Sequence, residues 1–371
     1  MEFQFAVLSD PHVTLPQTLL SYPGRMHMLE VSVAALEVVL DHLSQLDLAF
    51  LLIPGDLTQH GEPDNHAWLG ERLAKLPFPA YVVPGNHDVP VWDADGHSID
   101  WRTFPHYYRQ AGYGDTDQLY YTQVIHPGVR LIALNSNTFD TRGQLVGRVD
   151  PAQLAWLEGI LAAASEPLKL VMIHHNLLEH LPGQSLHTVG RRYLLENRAD
   201  LLALLRPAGV PLAFTGHLHI QDVAEFQDFF DITTGSLVSY PHPYRIIQVQ
   251  QAAGRTQVRI RSHRVTQIPD YPDLQTQSRE WMAQRSAAFM LQFLMHPPLN
   301  LAQEAAQPLI HHLSYFWAEV AQGDARLHFP QLPEPVRTFF EGCSDVGPAD
   351  NHLDIHLQAQ GGHSWQPSPL G

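Results

Sequence analysis

Short, continuously apolar runs punctuate the first two thirds of the chain, with amphipathic stretches between them. Runs at Phe3 to Leu8, Leu48 to Ile53, Ala80 to Val83, Tyr120 to Ile125, Arg130 to Leu134, Leu168 to Ile173, Leu212 to Thr215 and Arg245 to Gln250 predict β-strands. Most lack polar alternation, as strands covered on both faces do. Leu29, Val33, Leu36, Leu40 and Leu43 recur at helical spacing and predict one packed helix. Asp150 followed by Pro151 reads as N-cap and first helical residue of a helix running to about Ala164. A further helix is predicted over Arg191 to Leu205. Strand and helix alternating in this way predict an α/β fold whose sheet faces are covered by helices.

Near residue 265 the texture changes. Ile268 to Asp273 forms a Pro-rich break, after which strand signals nearly vanish, so a boundary is expected between residues 1–265 and 266–371. Met282, Phe289 and Phe293 mark one amphipathic helix of the second part, and Leu309, Leu313, Phe316 and Val320 mark another. This helical appendage offers a homodimer interface or a docking platform. The last ten residues, rich in Gly, Pro and Ser, read as a loose tail.

Five short polar motifs interrupt the apolar pattern, each at the end of a predicted strand. They are Asp10-Pro11-His12, Gly55-Asp56, Gly85-Asn86-His87-Asp88, His174-His175 and Gly216-His217-Leu218-His219. Ligands of open α/β sheets collect outside the carboxyl ends of strands, so the five clusters are expected to meet. Asp, Asn and His side chains without a thiolate suit Mn, Fe or Zn. Seven such donors exceed one tetrahedral ion and match two ions sharing a carboxylate. Glycine before Asp56, Asn86 and His217 is expected to allow tight turns there. With 24 His in 371 residues, a lone HxH pair is expected by chance, so the signal is the ordered set.

Net charge narrows the substrate. A formal −16 would repel an extended nucleic acid, whereas cations among the carboxylates would still admit a small phosphorylated molecule. The single cysteine, Cys343, excludes an internal disulfide framework and a thiolate-rich metal site. No signal peptide precedes the first strand and no apolar run approaches the roughly 18 residues of a membrane span, so a cytoplasmic protein without membrane contact is expected.

In order and spacing, the five motifs resemble the signatures of the calcineurin-like metallophosphoesterase superfamily over residues 1–265. The GNHD motif followed by an HH pair is most similar to the class III cyclic-nucleotide phosphodiesterase branch. The resemblance implies a four-layer αββα sandwich with the helical C-terminal part appended. It implies two divalent metal ions (Mn, Fe or Zn), one on Asp10, His12 and His219, the other on Asn86, His174 and His217, with Asp56 bridging both. It further implies a catalytic His87 near the leaving-group oxygen, oriented by Asp88. Such a pair of cations ionises a shared water and clamps phosphoryl oxygens for in-line attack on a small phosphodiester, with a 3′,5′-cyclic nucleotide as one candidate. Phosphomonoesters and a non-catalytic metal-binding role are the alternatives. The protein-phosphatase branch shows GNHE followed by arginine. Here Val89 and Pro90 follow Asp88, which disfavours phosphoprotein substrates.

Three other polar groups read as structural. His175 is expected to wall the site rather than ligate. The alternation of Asp350, His352, Asp354 and His356 with Leu353 and Ile355 predicts a half-exposed edge strand rather than a third metal site. His311 and His312 lie too far apart around a helix to chelate, and read as surface and core neighbours. The loops Thr14 to Arg25 and Tyr240 to Tyr244 are candidate walls of the site.

Overall fold

The computed structural model describes residues 1–20, 24–252, 254–345 and 347–358. The expected tail lies outside them.

Fourteen strands are present among the described residues: β1 (Glu2–Val7), β2 (Leu51–Ile53), β3 (Ala80–Val82), β4 (Tyr121–His126), β5 (Val129–Ala133), β6 (Asn137–Phe139), β7 (Leu145–Gly147), β8 (Leu168–Met172), β9 (Leu212–Thr215), β10 (Asp222–Phe226), β11 (Phe229–Thr233), β12 (Pro243–Ala252), β13 (Arg255–Arg264) and β14 (His352–Gln358). They form two six-stranded sheets, β14-β13-β12-β1-β2-β3 and β10-β11-β9-β8-β5-β4, and a β6–β7 hairpin. Strands β1, β2 and β3 run parallel in the first sheet, and β5, β8, β9 and β11 run parallel in the second.

Apolar alternation decides how the sheets stack. On the second sheet Leu131, Leu170, Met172, Leu212 and Phe214 join the core shared with Phe5, Val7 and Leu52 of the first. Their neighbours Ile132, Val171, Ile173 and Ala213 point the opposite way, against Leu157, Leu201 and Leu205 of the outer helices. Phe5 and Phe214 meet edge to face at 5.5 Å, which pins the two inner faces together. Helices α1 (Ser32–Leu43) and α2 (Pro63–Leu73) follow β1 and β2. The short α3 (Phe104–Tyr107) precedes β4, and α4 (Pro151–Ala163) and α5 (Arg198–Leu205) cover the second sheet. The result is the expected four-layer α/β sandwich. Asp150 caps α4 as expected, accepting from Gln153 N at 2.9 Å.

Other elements differ from expectation. The helix expected over Arg191 to Leu205 begins only at Arg198, behind a 3₁₀ turn at Gly190–Tyr193. In the C-terminal part, α6 (Leu274–Arg285) and α7 (Ala287–Met295) split one expected helix at Ser286, whose hydroxyl donates to Ser314 O. The remaining helices are α8 (Gln303–Ala306), α9 (Phe316–Ala321) and α10 (Val336–Glu341). His311 and His312 sit in a 3₁₀ turn before α9, exposed and half-buried, so neither is a core residue. The division at residue 265 is not clean. The chain returns as β14, whose Asp354 lies opposite Arg259 on the edge of the first sheet. The apolar faces of the C-terminal helices turn inward, packing Met282, Phe293 and Phe316 in one cluster with Leu218 and Ile220. Among the described residues no helix is long and apolar enough to cross a membrane.

One buried ion group fastens the segment that follows the HH pair. The His180 ring lies 2.5 Å from Asp222 and 3.3 Å from Asp231, while Asp231 also accepts from Leu177 N and Leu178 N. Burial opposes the imidazolium, but Asp231 and Asp222 outweigh it and push the ring up to about 10. A folded value above the roughly 6.5 of a free imidazole means that the contribution is complete below about pH 6.5 and disappears as pH rises through about 10. The stability gap between the protein and His180→Gln, measured by urea unfolding, should therefore shrink from pH 7 toward pH 10.

Candidate metal centre

The carboxyl ends of β1, β2 and β3 and those of β8 and β9 open at the same end of the sandwich. Asp10 and His12 follow β1, Asp56 follows β2, and Asn86 and His87 follow β3; His174 follows β8, and His217 and His219 follow β9. The motifs therefore meet across two sheets rather than on one rim. Asp10, His12, Asp56 and His219 offer donor atoms within 4.8 Å of one another, and so do Asp56, His174 and His217. Asn86 Oδ1 lies 3.1 Å from His174 Nε2. All seven side chains are thus brought together, with Asp56 common to both groups.

The local geometry explains how the sequence aims them. Asp10, His12, Asp56, His217 and His219 all have positive φ, between 40° and 66°. Such backbone costs a non-glycine residue on the order of 1 kcal/mol or more, although Asp and His tolerate it better than most. Asp10 is held by Ser9 Oγ at 2.5 Å and by His217 N at 3.2 Å, and His12 N donates to Asp56 O at 3.0 Å. Of the three glycines expected at tight turns, only Gly55 has positive φ, at 98°. Gly85 and Gly216 serve by their size. A Cβ on Gly85 would lie 2.1 Å from Asp56 Oδ1, and one on Gly216 would lie 2.4 Å from Asp10 Oδ2.

Electrostatics fit a cation site. Asp56 is 1% exposed, and among the described residues no Lys or Arg pairs with it or with Asp10. Burial would raise its carboxyl, but His174 and His87 hold it well below the usual range. Burial likewise works against charge on His174, yet Asp56 pushes it up to about 9. Burial holds His12 and His217 well below an ordinary imidazole, which leaves neutral nitrogens able to ligate. Nε2 of His12 and Nε2 of His219 face each other at 3.4 Å, and Asp10 Oδ1 lies 3.0 Å from the latter. Lone-pair donors converging in this way fit divalent cations.

The remaining expectations divide. His87 N donates to Asp56 Oδ1 at 2.9 Å, and its Nδ1 lies 2.6 Å from Gln59 O. A carbonyl only accepts, so Nδ1 carries the proton and Nε2 is left to exchange one. Asp88 does not orient that ring. Its carboxylate takes the backbone N–H groups of Leu57, Thr58 and Gly85 at 2.8 to 3.0 Å, tying the Asp56 turn to the Asn86 turn. His175 bonds Ser136 Oγ at 2.8 Å and walls the cleft, as expected. Asp350 accepts Val223 N and Asp324 N, Asp354 pairs with Arg261, and His352 to Gln358 forms the expected edge strand.

Sequence reasoning missed His27, whose donor lies within 4.8 Å of those of His12 and His219. It sits two residues beyond the expected loop wall and follows no strand. Arg191 and Arg192 were missed too. They line the cleft and, among the described residues, pair with no carboxylate, giving an acidic protein a cationic rim at this point. Of the second expected wall, Tyr240 is instead packed in the C-terminal core, and the preceding Ser239 reaches the cleft.

The sequence profile of the calcineurin-like phosphoesterases matches residues 3–221, more than half of the chain. The chain belongs to the calcineurin-like phosphoesterase family. It is similar to a probable glycerophosphodiester phosphodiesterase GpdQ of Arcobacter nitrofigilis, 28% identical over 46% of this chain and 56% of the relative. It is similar to purple acid phosphatase 18 of Arabidopsis thaliana, 29% identical over 48% of this chain and 39% of the relative. A probable cyclic nucleotide phosphodiesterase of Rhodopseudomonas palustris is 29% identical over 58% of this chain and 71% of the relative. The chain thus spans about half the length of the first two curated relatives it matches.

Because a Cβ on Gly85 would lie 2.1 Å from Asp56 Oδ1 and 2.2 Å from its backbone N, Gly85→Ala should shift the shared carboxylate and its turn. Titration calorimetry with Mn²⁺ should show affinity reduced about 10- to 100-fold, the range seen when support of a ligand is lost.

Proposed function

We propose that the chain is a metal-dependent phosphodiesterase that hydrolyses a small phosphodiester, with 3′,5′-cyclic nucleotides among the candidates. The observation that carries this reading is the buried Asp56 carboxylate common to two donor groups at the floor of an open cleft. Asp10, His12 and His219 would complete one group, and Asn86, His174 and His217 the other. Two divalent cations held there would supply Lewis-acid activation of water and compensation for phosphoryl charge. Mn, Fe and Zn all suit these donors.

The chain's own residues complete the chemistry. His87, fixed by Gln59 O, presents Nε2 for proton delivery to the leaving alkoxide or for a hydrogen bond to the phosphoryl oxygens. Asp88 keeps the two turns at fixed spacing. Arg191 and Arg192 draw an anion toward the cleft against the overall −16. Relatives named as phosphodiesterases support diesters, whereas the similarity to a purple acid phosphatase favours a phosphomonoester reading.

Turnover of bis(p-nitrophenyl) phosphate with Mn²⁺ tests the proposal, and no turnover with Mn²⁺, Zn²⁺ or Fe²⁺ would overturn it. A higher kcat/KM for p-nitrophenyl phosphate than for its diesters would favour the monoester reading. Asp56→Asn should abolish turnover and paired metal loading, read by elemental analysis. His87→Ala should lower kcat by about 10² to 10⁴. If His87 protonates the leaving group, the loss should be larger for alkoxide-leaving esters than for p-nitrophenyl ones.

A further inference from the structure

Behind the HxH motif the fold does something that the metal chemistry does not require. Leu218, between His217 and His219, is 1% exposed and packs in the C-terminal cluster, and Ile220 does the same. The C-terminal helices therefore seat directly on the motif. They also touch the segment that leads into the centre, where Trp281 Nε1 donates to Arg25 O at 3.2 Å, two residues before His27. Their contribution to the cleft is Met282, Phe289 and Trp317, with no charged side chain. Phe289 stands edge to face on Trp317 at 5.1 Å and is the most exposed of the three. The same cleft is floored by Asp56, Asn86 and His87 and has a volume of about 1140 Å³. Ligand sites commonly enclose about 300 to 1,000 Å³, so the space far exceeds a phosphoryl group with a methyl- or glycerol-sized arm.

We infer that the C-terminal helices form a subsite for the second ester arm of the substrate, and that this arm is bulky and apolar or aromatic. The inference rests on the phosphodiesterase reading above. The cleft is cationic at Arg191 and Arg192 and has an apolar wall at Met282, Phe289 and Trp317. A diester with a charged centre and one apolar arm satisfies both, whereas a compact polar diester would leave the aromatic wall in water. Phe289 is the specificity-determining residue, because its ring is the part of that wall still open to a ligand.

The test holds the leaving group constant and varies the arm, using 4-nitrophenyl phosphodiesters whose other arm is methyl, phenyl, thymidine or octyl, with Mn²⁺ and the full chain. The wild type should prefer the phenyl, thymidine or octyl arm over methyl by roughly tenfold or more in kcat/KM. A lead by phenyl and thymidine assigns an aromatic arm and a lead by octyl an acyl-like one, and either order supports the subsite. Phe289→Ala should cut the arm-to-methyl ratio about tenfold, chiefly through KM, and Phe289→Leu should restore most of it. Equal kcat/KM across the arms in the wild type, or a ratio unmoved by Phe289→Ala, overturns the inference while leaving the phosphodiesterase reading intact. If no ester is hydrolysed, both fall together. Should Phe289→Ala fail to fold, the wild-type series alone still decides.

Discussion

The carboxylate of Asp56 is almost fully buried, and among the described residues only imidazoles pair with it. An anion removed from water costs several kcal/mol unless positive charge or donated hydrogen bonds replace the lost hydration. Here His87 N donates one hydrogen bond, and His174 Nε2 stands 3.4 Å away, where a proton or a bound cation can face the carboxylate. The rest of the centre is arranged around what remains: neutral nitrogens on His12 and His217, the second carboxylate of Asp10, and an amide oxygen at Asn86. Divalent cations would offset both carboxylates at once, and the strained backbone of five of the seven donors is consistent with a site shaped for ligands rather than for fold stability.

Holding that geometry requires the sandwich to be rigid where the two sheets meet. The Phe5–Phe214 contact and the alternating inner residues keep the ends of β1 and β9 in fixed relation, so Asp10 and His219 can meet although they are 209 residues apart. At the rim, packing is so close that Gly85 and Gly216 leave no space for a methyl group beside either carboxylate. Asp88 acts in the same structural register, turning three backbone donors toward one buried acceptor. The C-terminal helices then back the HxH motif through Leu218, so the segment beyond residue 265 is joined to the chemistry by packing rather than appended to it.

Several of the strands that were legible in the sequence share a physical property: β2, β3 and β9 are buried on both faces. The predicted strands from Phe3 to Leu8 through Arg245 to Gln250 all reappear within a few residues, the doubly covered ones because such a strand must be apolar throughout, while β4 and β12 keep a partly wet face. Those that were missed carry mixed polarity. β13 alternates Val258 and Ile260 with Arg259 and Arg261, and β10–β11 turns through Gln227 and Asp228, both with positive φ. One face of β13 is wet, and its arginines pair with Asp354 of β14, a partner almost 100 residues away. Local periodicity carries no record of such pairing. His27 escaped for the same reason, since its neighbours His12 and His219 are neighbours only in space.

By itself the sequence determined which donors exist, that each stands where an apolar strand runs out, and that glycine precedes three of them, because side-chain chemistry and burial periodicity are local properties. Only the tertiary structure decided that the donors come from two sheets, that Asp88 holds turns together instead of orienting His87, and that Phe289 and Arg191 face the same cleft. Each of these is a distance between residues remote in sequence, set by how the layers pack, and packing is a property of the whole chain.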